Sequence, residues 1–212
     1  MRIRGLGLGV LSALTAFMLA ACSSGPTDME TRGPRVAGSF TELIQQFRDA
    51  EKLSALEKDV LERSEKSGRL EAADYEEAYN HLRRCMATRS LTLPVSKLSS
   101  GLYEVIPPDS LKGAEIDNWV DEYSKCSEGT IKVIETLYRA QQTNPDLLTD
   151  GAQVAVSCLV RSGHLPADYT KEKFQKLVRE ADDPSRDSIP FDLDDPDVKS
   201  CLNGAGFAFS VG

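Results

Sequence analysis

The sequence predicts a mainly α-helical fold with a small β-hairpin, in which about six or seven helices form two disulfide-closed lobes. Three observations carry this prediction. Apolar residues recur at intervals of three and four through most of the chain, which is typical of helices packed on one face. One stretch, residues 91–105, alternates instead. Four cysteines beyond residue 38 are enough for one disulfide in each lobe.

The helical segments follow one another with recognisable end signals. Gly68 and Gly163 stand where helix ends are expected, and Thr130 is expected to cap the helix that follows it. Asp195 followed by Pro196 predicts an N-cap and the first turn of a short last helix. In chain order, the predicted helices cover residues 40–61, 75–86, 116–125, 131–138, 146–161, 170–178 and 196–202.

Residues 91–105 predict the hairpin. Apolar residues alternate over 91–95, residues 99–101 (Ser-Ser-Gly) supply a turn, and the alternation resumes over 103–105. Pro94 indicates that the first strand lies at a sheet edge, because proline cannot donate to a strand ladder. The tail also alternates, with Phe207, Phe209 and Val211. It is expected either to add a third strand to the hairpin or to pack on the core as an apolar tail.

The first part of the chain predicts export. Residues 1–21 combine two arginines with an apolar run that is shorter than the roughly 20 residues of a membrane-spanning helix, and they end in small residues. We therefore interpret residues 1–21 as a signal peptide that is removed. Residues 22–38 are rich in Gly, Pro, Ser and Thr and predict a flexible tether. The remaining domain, residues 39–212, is expected to divide into lobes of about 39–128 and 129–212.

The end of the signal peptide is more specific than an ordinary cleavage site. Leu19-Ala20-Ala21-Cys22 resembles a bacterial lipobox. This resemblance implies a diacylglyceryl thioether on Cys22, cleavage before that residue, and acylation of the new amino group, for example with palmitate. Each buried methylene contributes about 0.8 kcal/mol, so two or three acyl chains hold a protein stably at a bilayer. The alternative is an ordinary signal peptide that ends near a cysteine.

With Cys22 assigned to lipid, four cysteines remain, and an even number in an exported protein favours disulfides. Four cysteines permit three connectivities. We expect Cys85–Cys126 and Cys158–Cys201, because each pair then closes one lobe. A redox pair would be expected as C-x-x-C, and a zinc knuckle needs cysteines two to four residues apart, and neither spacing occurs.

Part of the chain resembles a group of secreted proteins. Residues 73–78 (Ala-Asp-Tyr-Glu-Glu-Ala), Cys85-Met86, the hairpin and residues 121–126 (Asp-Glu-Tyr-Ser-Lys-Cys) occur in the order found in small secreted lipoproteins of actinobacteria. Many of those proteins have no assigned function. The resemblance covers about residues 71–126 and departs at residues 87–89 (Ala-Thr-Arg), where a small residue and glycine are common. It implies the same fold and disulfide pairing, and it carries no catalytic residues over.

Charge restricts the partners. Residues 1–21 contain two of the 25 basic residues and none of the 33 acidic ones, so the mature chain has 23 bases and a net charge of −10. Nucleic acids and anionic lipid surfaces are poor partners for this charge. We expect contact with the membrane through the lipid anchor, and an envelope protein or a small ligand as partner.

Acidic residues near the end of the chain resemble a cation-binding loop only in part. Asp192, Asp194, Asp195 and Asp197 offer carboxylates at short intervals, as calcium loops do. However, the glycine and the twelfth-position glutamate of such a loop are missing, and Asp195 is expected to cap a helix. We therefore expect no metal and no cofactor.

Other candidate residues have plain structural interpretations as well. The acid pairs Glu76–Glu77 and Asp121–Glu122 could serve glycoside chemistry if each lay in a cleft, but neighbouring acids on a helix usually form its solvated face. A ring pair such as Trp119 with Tyr123 can line a ligand groove or fill a core beside a disulfide. The two histidines, His81 and His164, have no orienting partner that the sequence identifies.

Together these features predict an extracytoplasmic lipoprotein at the cell membrane, acting as a non-catalytic binding or interaction module. No nucleophile elbow, zinc-protease motif, phosphate-binding loop or dinucleotide fingerprint is present. Two alternatives remain open: a cell-wall enzyme with a carboxylate pair, and a purely structural component of the envelope. The sequence does not identify a ligand-binding residue.

Overall fold

The structure is a computed structural model and describes residues 33–50, 52–180 and 189–207. Within these ranges there are eight helices and one two-stranded antiparallel sheet, so the predicted mainly helical fold with a small hairpin is confirmed. The elements are α1 (Phe40–Ala50), α2 (Ala55–Ser67), α3 (Ala72–Thr88), β1 (Val95–Lys97), β2 (Tyr103–Val105), α4 (Ala114–Ser127), α5 (Lys132–Thr143), α6 (Gly151–Arg161), α7 (Lys171–Arg179) and α8 (Pro196–Gly204).

The helix count exceeds the expected six or seven because the first predicted stripe is two helices. Ser54 begins α2 through a reciprocal capping box with Glu57. The Ser54 hydroxyl accepts the Glu57 N–H at 3.2 Å, and the Glu57 carboxylate accepts the Ser54 N–H at 2.9 Å. This arrangement satisfies two N–H groups that a helix start otherwise leaves unbonded. At the other end, Gly68 adopts φ 74° and terminates α2 as predicted.

The predicted start of the helix over residues 146–161 is wrong. The helix begins at Gly151, with Asp150 as its N-cap. Leu147 has φ 55°, which is incompatible with a right-handed helix, and it lies buried in the preceding loop. The loop also pairs with the start of the domain, because the Val36 N–H donates to the Leu147 carbonyl at 2.8 Å.

Thr130 does not cap the helix that follows it. Its hydroxyl donates to the carbonyls of Cys126 and Ser127 at the end of α4. A threonine cap instead accepts an N–H from the new helix. The Asp195-Pro196 prediction is confirmed, since Asp195 accepts the N–H groups of Asp197 and Val198 at the start of α8.

Buried apolar residues form two cores. The N-terminal core runs from Ala37 to Leu147 and the C-terminal core from Ala152 to Leu202. The disulfides pair as expected, with Cys85–Cys126 at the first core and Cys158–Cys201 in the second. The cores change over between Leu147 and Ala152, later in the chain than the expected boundary between residues 128 and 129. The reason is that α5 packs in the N-terminal core.

The hairpin and α5 join the two cores through polar contacts with α8. Ser99, in the hairpin turn, bonds the Ser200 hydroxyl at 2.9 Å and the Pro196 carbonyl at 3.0 Å. On α5, the Arg139 guanidinium donates to the carbonyl and the side-chain oxygen of Asn203 at 2.8 and 2.7 Å. The two cores therefore meet along α8, with the hairpin turn at one end and α5 at the other.

Two predictions fall outside the described residues. The signal peptide and Cys22 precede residue 33, and the alternating tail beyond Phe207 follows the last described residue. Both stay predictions. None of the helices in the described ranges combines the length and the apolar character that a membrane crossing requires.

Candidate functional site

A groove of about 800 Å³ opens where the two cores meet. Its walls come from the hairpin, α4 and α5 on one side and from the segment around α8 on the other. We call it the inter-core groove and define it by the residues that line it: Tyr103, Glu104, Val105, Ile106, Tyr123, Glu135, Arg139, Leu193, Asp194, Lys199, Leu202, Asn203 and Phe207.

The hairpin wall is held rigidly by tyrosines of α3. The Tyr103 N–H donates to the Tyr75 hydroxyl at 3.0 Å, and Tyr75 is 1% exposed. The Tyr103 ring stacks on Tyr79 with centroids 3.9 Å apart, and its hydroxyl donates to Glu76 at 2.8 Å. Stacking and hydrogen bonds of this kind fix the ring and the backbone of β2. Next to this fixed segment, Ile106 is 54% exposed at the mouth of the groove.

An ion pair on α5 forms the polar part of the groove. Arg139 donates to Glu135 four residues earlier, and its other nitrogen bonds Asn203 twice. The three residues come from both cores, so the guanidinium fastens α5 to the end of α8. Because the side chains of Arg139 and Glu135 are only 30% and 17% exposed, water screens this pair less than a surface pair.

Tyr123 supplies an amphipathic wall. Its ring lies parallel to Trp119 with centroids 5.4 Å apart, while Trp119 itself is 3% exposed and donates to the Thr92 carbonyl. Burial, together with the charge of Glu135, raises the pKa of Tyr123 to about 12. The phenol is therefore a neutral donor at physiological pH. Of the predicted ring pair, Tyr123 lines the groove and Trp119 belongs to the core.

The opposite wall is apolar with a charged rim. Leu202 is buried in the C-terminal core, and Phe207 packs edge-on against Phe174 with centroids 5.1 Å apart. At the rim, Lys199 pairs with Asp194 at 3.1 Å. The groove thus combines aromatic and apolar surfaces with six charged or amide side chains, and polar groups that converge in a concavity are one feature of ligand sites in proteins.

Two other concave regions are weaker candidates. One, of about 700 Å³, lies between α1 and α2 and is lined mainly by surface ion-pair side chains such as Arg48 and Glu65. The other, of about 470 Å³, lies between α6 and α7 beside Phe174. The inter-core groove differs from both because its walls come from both cores.

One member of each candidate carboxylate pair is engaged with basic partners. Burial raises the pKa of Glu76, but hydrogen bonds from Lys97 and Tyr103 outweigh burial and hold that pKa below its ordinary value. A hydrogen bond from Lys125, with the charge of Arg89, lowers the pKa of Glu122. A general acid needs the opposite shift, so neither Glu76 nor Glu122 is suited to that role.

The acidic loop serves mainly to start α8. Asp195 accepts the backbone N–H groups of Asp197 and Val198. The bond from Asp197 is the main reason that the pKa of Asp195 is lowered. His164 does have a partner, contrary to the sequence interpretation, because its Nε2 lies 3.4 Å from Asp195 Oδ1. His164, Asp195 and Asp197 bring one ligand atom each within 4.8 Å of one another. However, Asp195 Oδ1 is committed to the cap, and the positive end of a helix disfavours a cation.

His81 lies half-buried on α3, between the core and solvent. The four paired cysteines are all in disulfides, with Cys126 and Cys201 almost fully buried. Sequence reasoning missed most of the groove. Its lining residues run from Tyr103 to Phe207, about half the chain apart. The sequence singles out Tyr123, Asp194 and the alternating residues near both ends, but it does not indicate that they meet in one groove.

Comparisons of the chain with protein-family models, with curated proteins and with solved structures found no match.

Proposed function

We propose that this chain is a lipid-anchored protein on the extracytoplasmic face of the cell membrane that binds a ligand in the inter-core groove without transforming it. The lipobox-like end of the signal peptide supports the anchor, as does the predicted tether, whose last residues from Pro34 onward bond to the domain. The net charge of the mature chain disfavours nucleic acid as the ligand.

The observation that carries the binding proposal is the groove itself. It lies between two disulfide-closed cores, and Arg139 on one core bonds Asn203 on the other. Tyr123 offers a protonated hydroxyl that makes no hydrogen bond to any described residue. A fixed, partly apolar site with a donor available to a ligand favours binding.

The pairing of the carboxyl groups with donors and cations favours binding over acid catalysis. A catalytic acid needs a pKa raised toward neutrality. Among the described residues, each carboxyl group with a clearly shifted pKa has it lowered, namely Glu62, Glu65, Glu76, Glu122, Asp150, Glu172 and Asp195. In the groove, Glu135 and Asp194 are paired with Arg139 and Lys199, while Glu104 accepts a hydrogen bond from the Ser96 hydroxyl.

The anchor is tested by Cys22→Ser in the full chain. We expect the variant either to leave the membrane fraction or to keep its signal peptide, because the lipid has no attachment site. The measurement is membrane fractionation with the intact mass of the protein. Unchanged fractionation together with an unchanged mass would remove the anchor from the proposal.

The groove is tested by a photoactivatable residue at position 106 in cells. Ile106 is 54% exposed in the groove, and Val36, which is 43% exposed outside it, is the matched control position. We expect a covalent adduct, seen by mass spectrometry, from position 106 and not from position 36. Equal adducts from both positions, or none, would indicate a structural component rather than a binding protein. Consumption of the bound molecule would instead favour the enzyme.

A further inference from the structure

The hairpin has one strand edge that faces the groove. The registered pairs are Val95 with Val105, Ser96 with Glu104 and Lys97 with Tyr103. Directly opposed residues of an antiparallel pair alternate between hydrogen-bonded and non-bonded pairs. Leu98 bonds Leu102, and Ile106 bonds Pro94, so the bonded positions of β2 are 102, 104 and 106. The backbone groups of Tyr103 and Val105 therefore point away from β1.

These outward groups are only partly used. The Tyr103 N–H is taken by the Tyr75 hydroxyl at 3.0 Å. The Val105 N–H and the carbonyls of Tyr103 and Val105 make no hydrogen bond to any described residue. Unpaired backbone groups along a strand edge are a template for another extended chain.

The groove runs beside this edge. Four consecutive residues, 103–106, all line it. Successive side chains of a strand point to opposite faces of the sheet, so a cavity on one face would be lined by every second residue. Contact with all four places the groove alongside the strand, at the edge where the unpaired groups of Val105 lie.

We propose that the inter-core groove binds an extended polypeptide segment, which adds to β2 as a third strand through backbone hydrogen bonds with the carbonyl of Tyr103 and with the N–H and carbonyl of Val105. This inference rests on the proposed function and names its ligand class. Strand addition to a free sheet edge is a general mode of peptide recognition. Leu193 and Phe207, which line the groove and are partly exposed, offer apolar surface to alternate side chains of the added strand.

Charge specifies the segment further. Arg139 and Lys199 are paired with Glu135 and Asp194, whereas Glu104 has only a hydrogen bond from the Ser96 hydroxyl and no ion pair with a described residue. A basic side chain beside Glu104 on the added strand forms a favourable cross-strand pair. The ligand is therefore a segment in which apolar residues alternate with lysine or arginine.

The test uses the full lipidated chain in detergent and a synthetic heptapeptide of alternating valine and lysine. Its matched control is the same peptide with alternate backbone nitrogens methylated, which keeps the side chains and removes donors. We expect the methylated peptide, measured by calorimetry, to bind about tenfold more weakly because backbone hydrogen bonds are lost. Equal binding of the two peptides would overturn strand addition.

Proline substitution tests which edge is used. Val105→Pro removes the outward N–H at the groove, and Val95→Pro removes the matching N–H on the opposite edge without touching a ladder bond. We expect about tenfold weaker binding for Val105→Pro and unchanged binding for Val95→Pro. If Val95→Pro weakens binding as much, the proposed edge is wrong. The methylated peptide keeps the proposal testable should Val105→Pro not fold.

A third arm removes residues 208–212, which follow the groove residue Phe207 and lie outside the described ranges. We expect unchanged affinity for the heptapeptide. Binding that occurs only in the shortened chain would show that the protein's own tail is the occupant, and the proposal would be wrong. Adducts from position 106 combined with no heptapeptide binding would refute the peptide class and leave the proposed function standing.

Discussion

For Gly204→Ala, packing and helix propensity predict opposite effects on the free energy of unfolding. Gly204 is the last residue of α8, and it faces Thr143, the last residue of α5. A Cβ added to Gly204 would overlap Oγ1, Cβ and Cγ2 of Thr143. Thr143 is 2% exposed and its hydroxyl donates to the Arg139 carbonyl, so it has little room to move away.

The expected magnitude follows from two opposing contributions. Alanine is favoured over glycine by about 1 kcal/mol in a helix interior, and by less at the last residue. Forcing an extra methyl group into a packed site costs about 1–3 kcal/mol. We therefore expect Gly204→Ala to lower the free energy of unfolding by about 1–2 kcal/mol.

Urea unfolding at equilibrium measures this change, with the fluorescence of Trp119 as the probe. Trp119 is the single tryptophan of the chain and is 3% exposed in the folded state. A double-mutant cycle with Thr143→Gly isolates the overlap, because Gly204→Ala should cost little stability once the Thr143 side chain is absent. Stabilisation by Gly204→Ala, or additivity of the two changes within about 0.5 kcal/mol, would refute the close approach of α5 and α8.

Three further predictions concern stability. Replacing Cys158 and Cys201 together by serine should lower the free energy of unfolding by about 4 kcal/mol in a urea titration, because the disulfide closes a loop with a sequence separation of 43 residues; an unchanged midpoint would contradict this. Asp150→Ala should lower the free energy of unfolding by about 1 kcal/mol at pH 7, and Asp150→Asn should lower it less. The Gln153 N–H and then Lys171 lower the pKa of Asp150, so its charged form stabilises the fold above the ordinary carboxyl pKa. Unfolding curves from pH 7 to pH 2 should show this stabilisation lost as the pH falls through the lowered pKa. Trp119→Phe should cost about 1 kcal/mol in thermal unfolding followed by circular dichroism, since it removes the 2.8 Å bond to a backbone carbonyl, and equal stability would count against that bond.

Local signals were sufficient for most elements. The αL turn at Gly68, the cap at Asp195 and the hairpin turn at residues 99–101 each depend on residues close in sequence. These three signals need no knowledge of distant contacts. The disulfide pairing is different, since its cysteines are 41 and 43 residues apart and the expectation came from the requirement that each pair close one lobe.

The sequence predictions are wrong where contacts between distant residues determine the structure. Leu147 and Leu148 continue a helical pattern, yet the structure uses Leu147 in the N-terminal core and bends the chain there with a positive φ. The division between the cores was displaced for a related reason, since nothing local indicates that α5 packs against α2 and α3. The partner of His164 was missed because Asp195 lies 31 residues further along the sequence.

The groove could not be predicted from local sequence patterns. Its polar part depends on Arg139 meeting Asn203, a contact between residues 64 positions apart. Its hairpin wall depends on which edge of β2 is left unpaired, and that follows from the register rather than from composition.

The place where the domain begins has a mechanical consequence. Pro34 accepts the Thr149 N–H at 3.0 Å, and Val36 donates to Leu147, so the tether arrives at the connection between the two cores. Tension transmitted along the tether would load this connection directly, and α1 would not be the first element to be peeled away. When the intact protein is pulled by its tether, the hydrogen bond between Pro34 and Thr149 should therefore break before any helix unfolds.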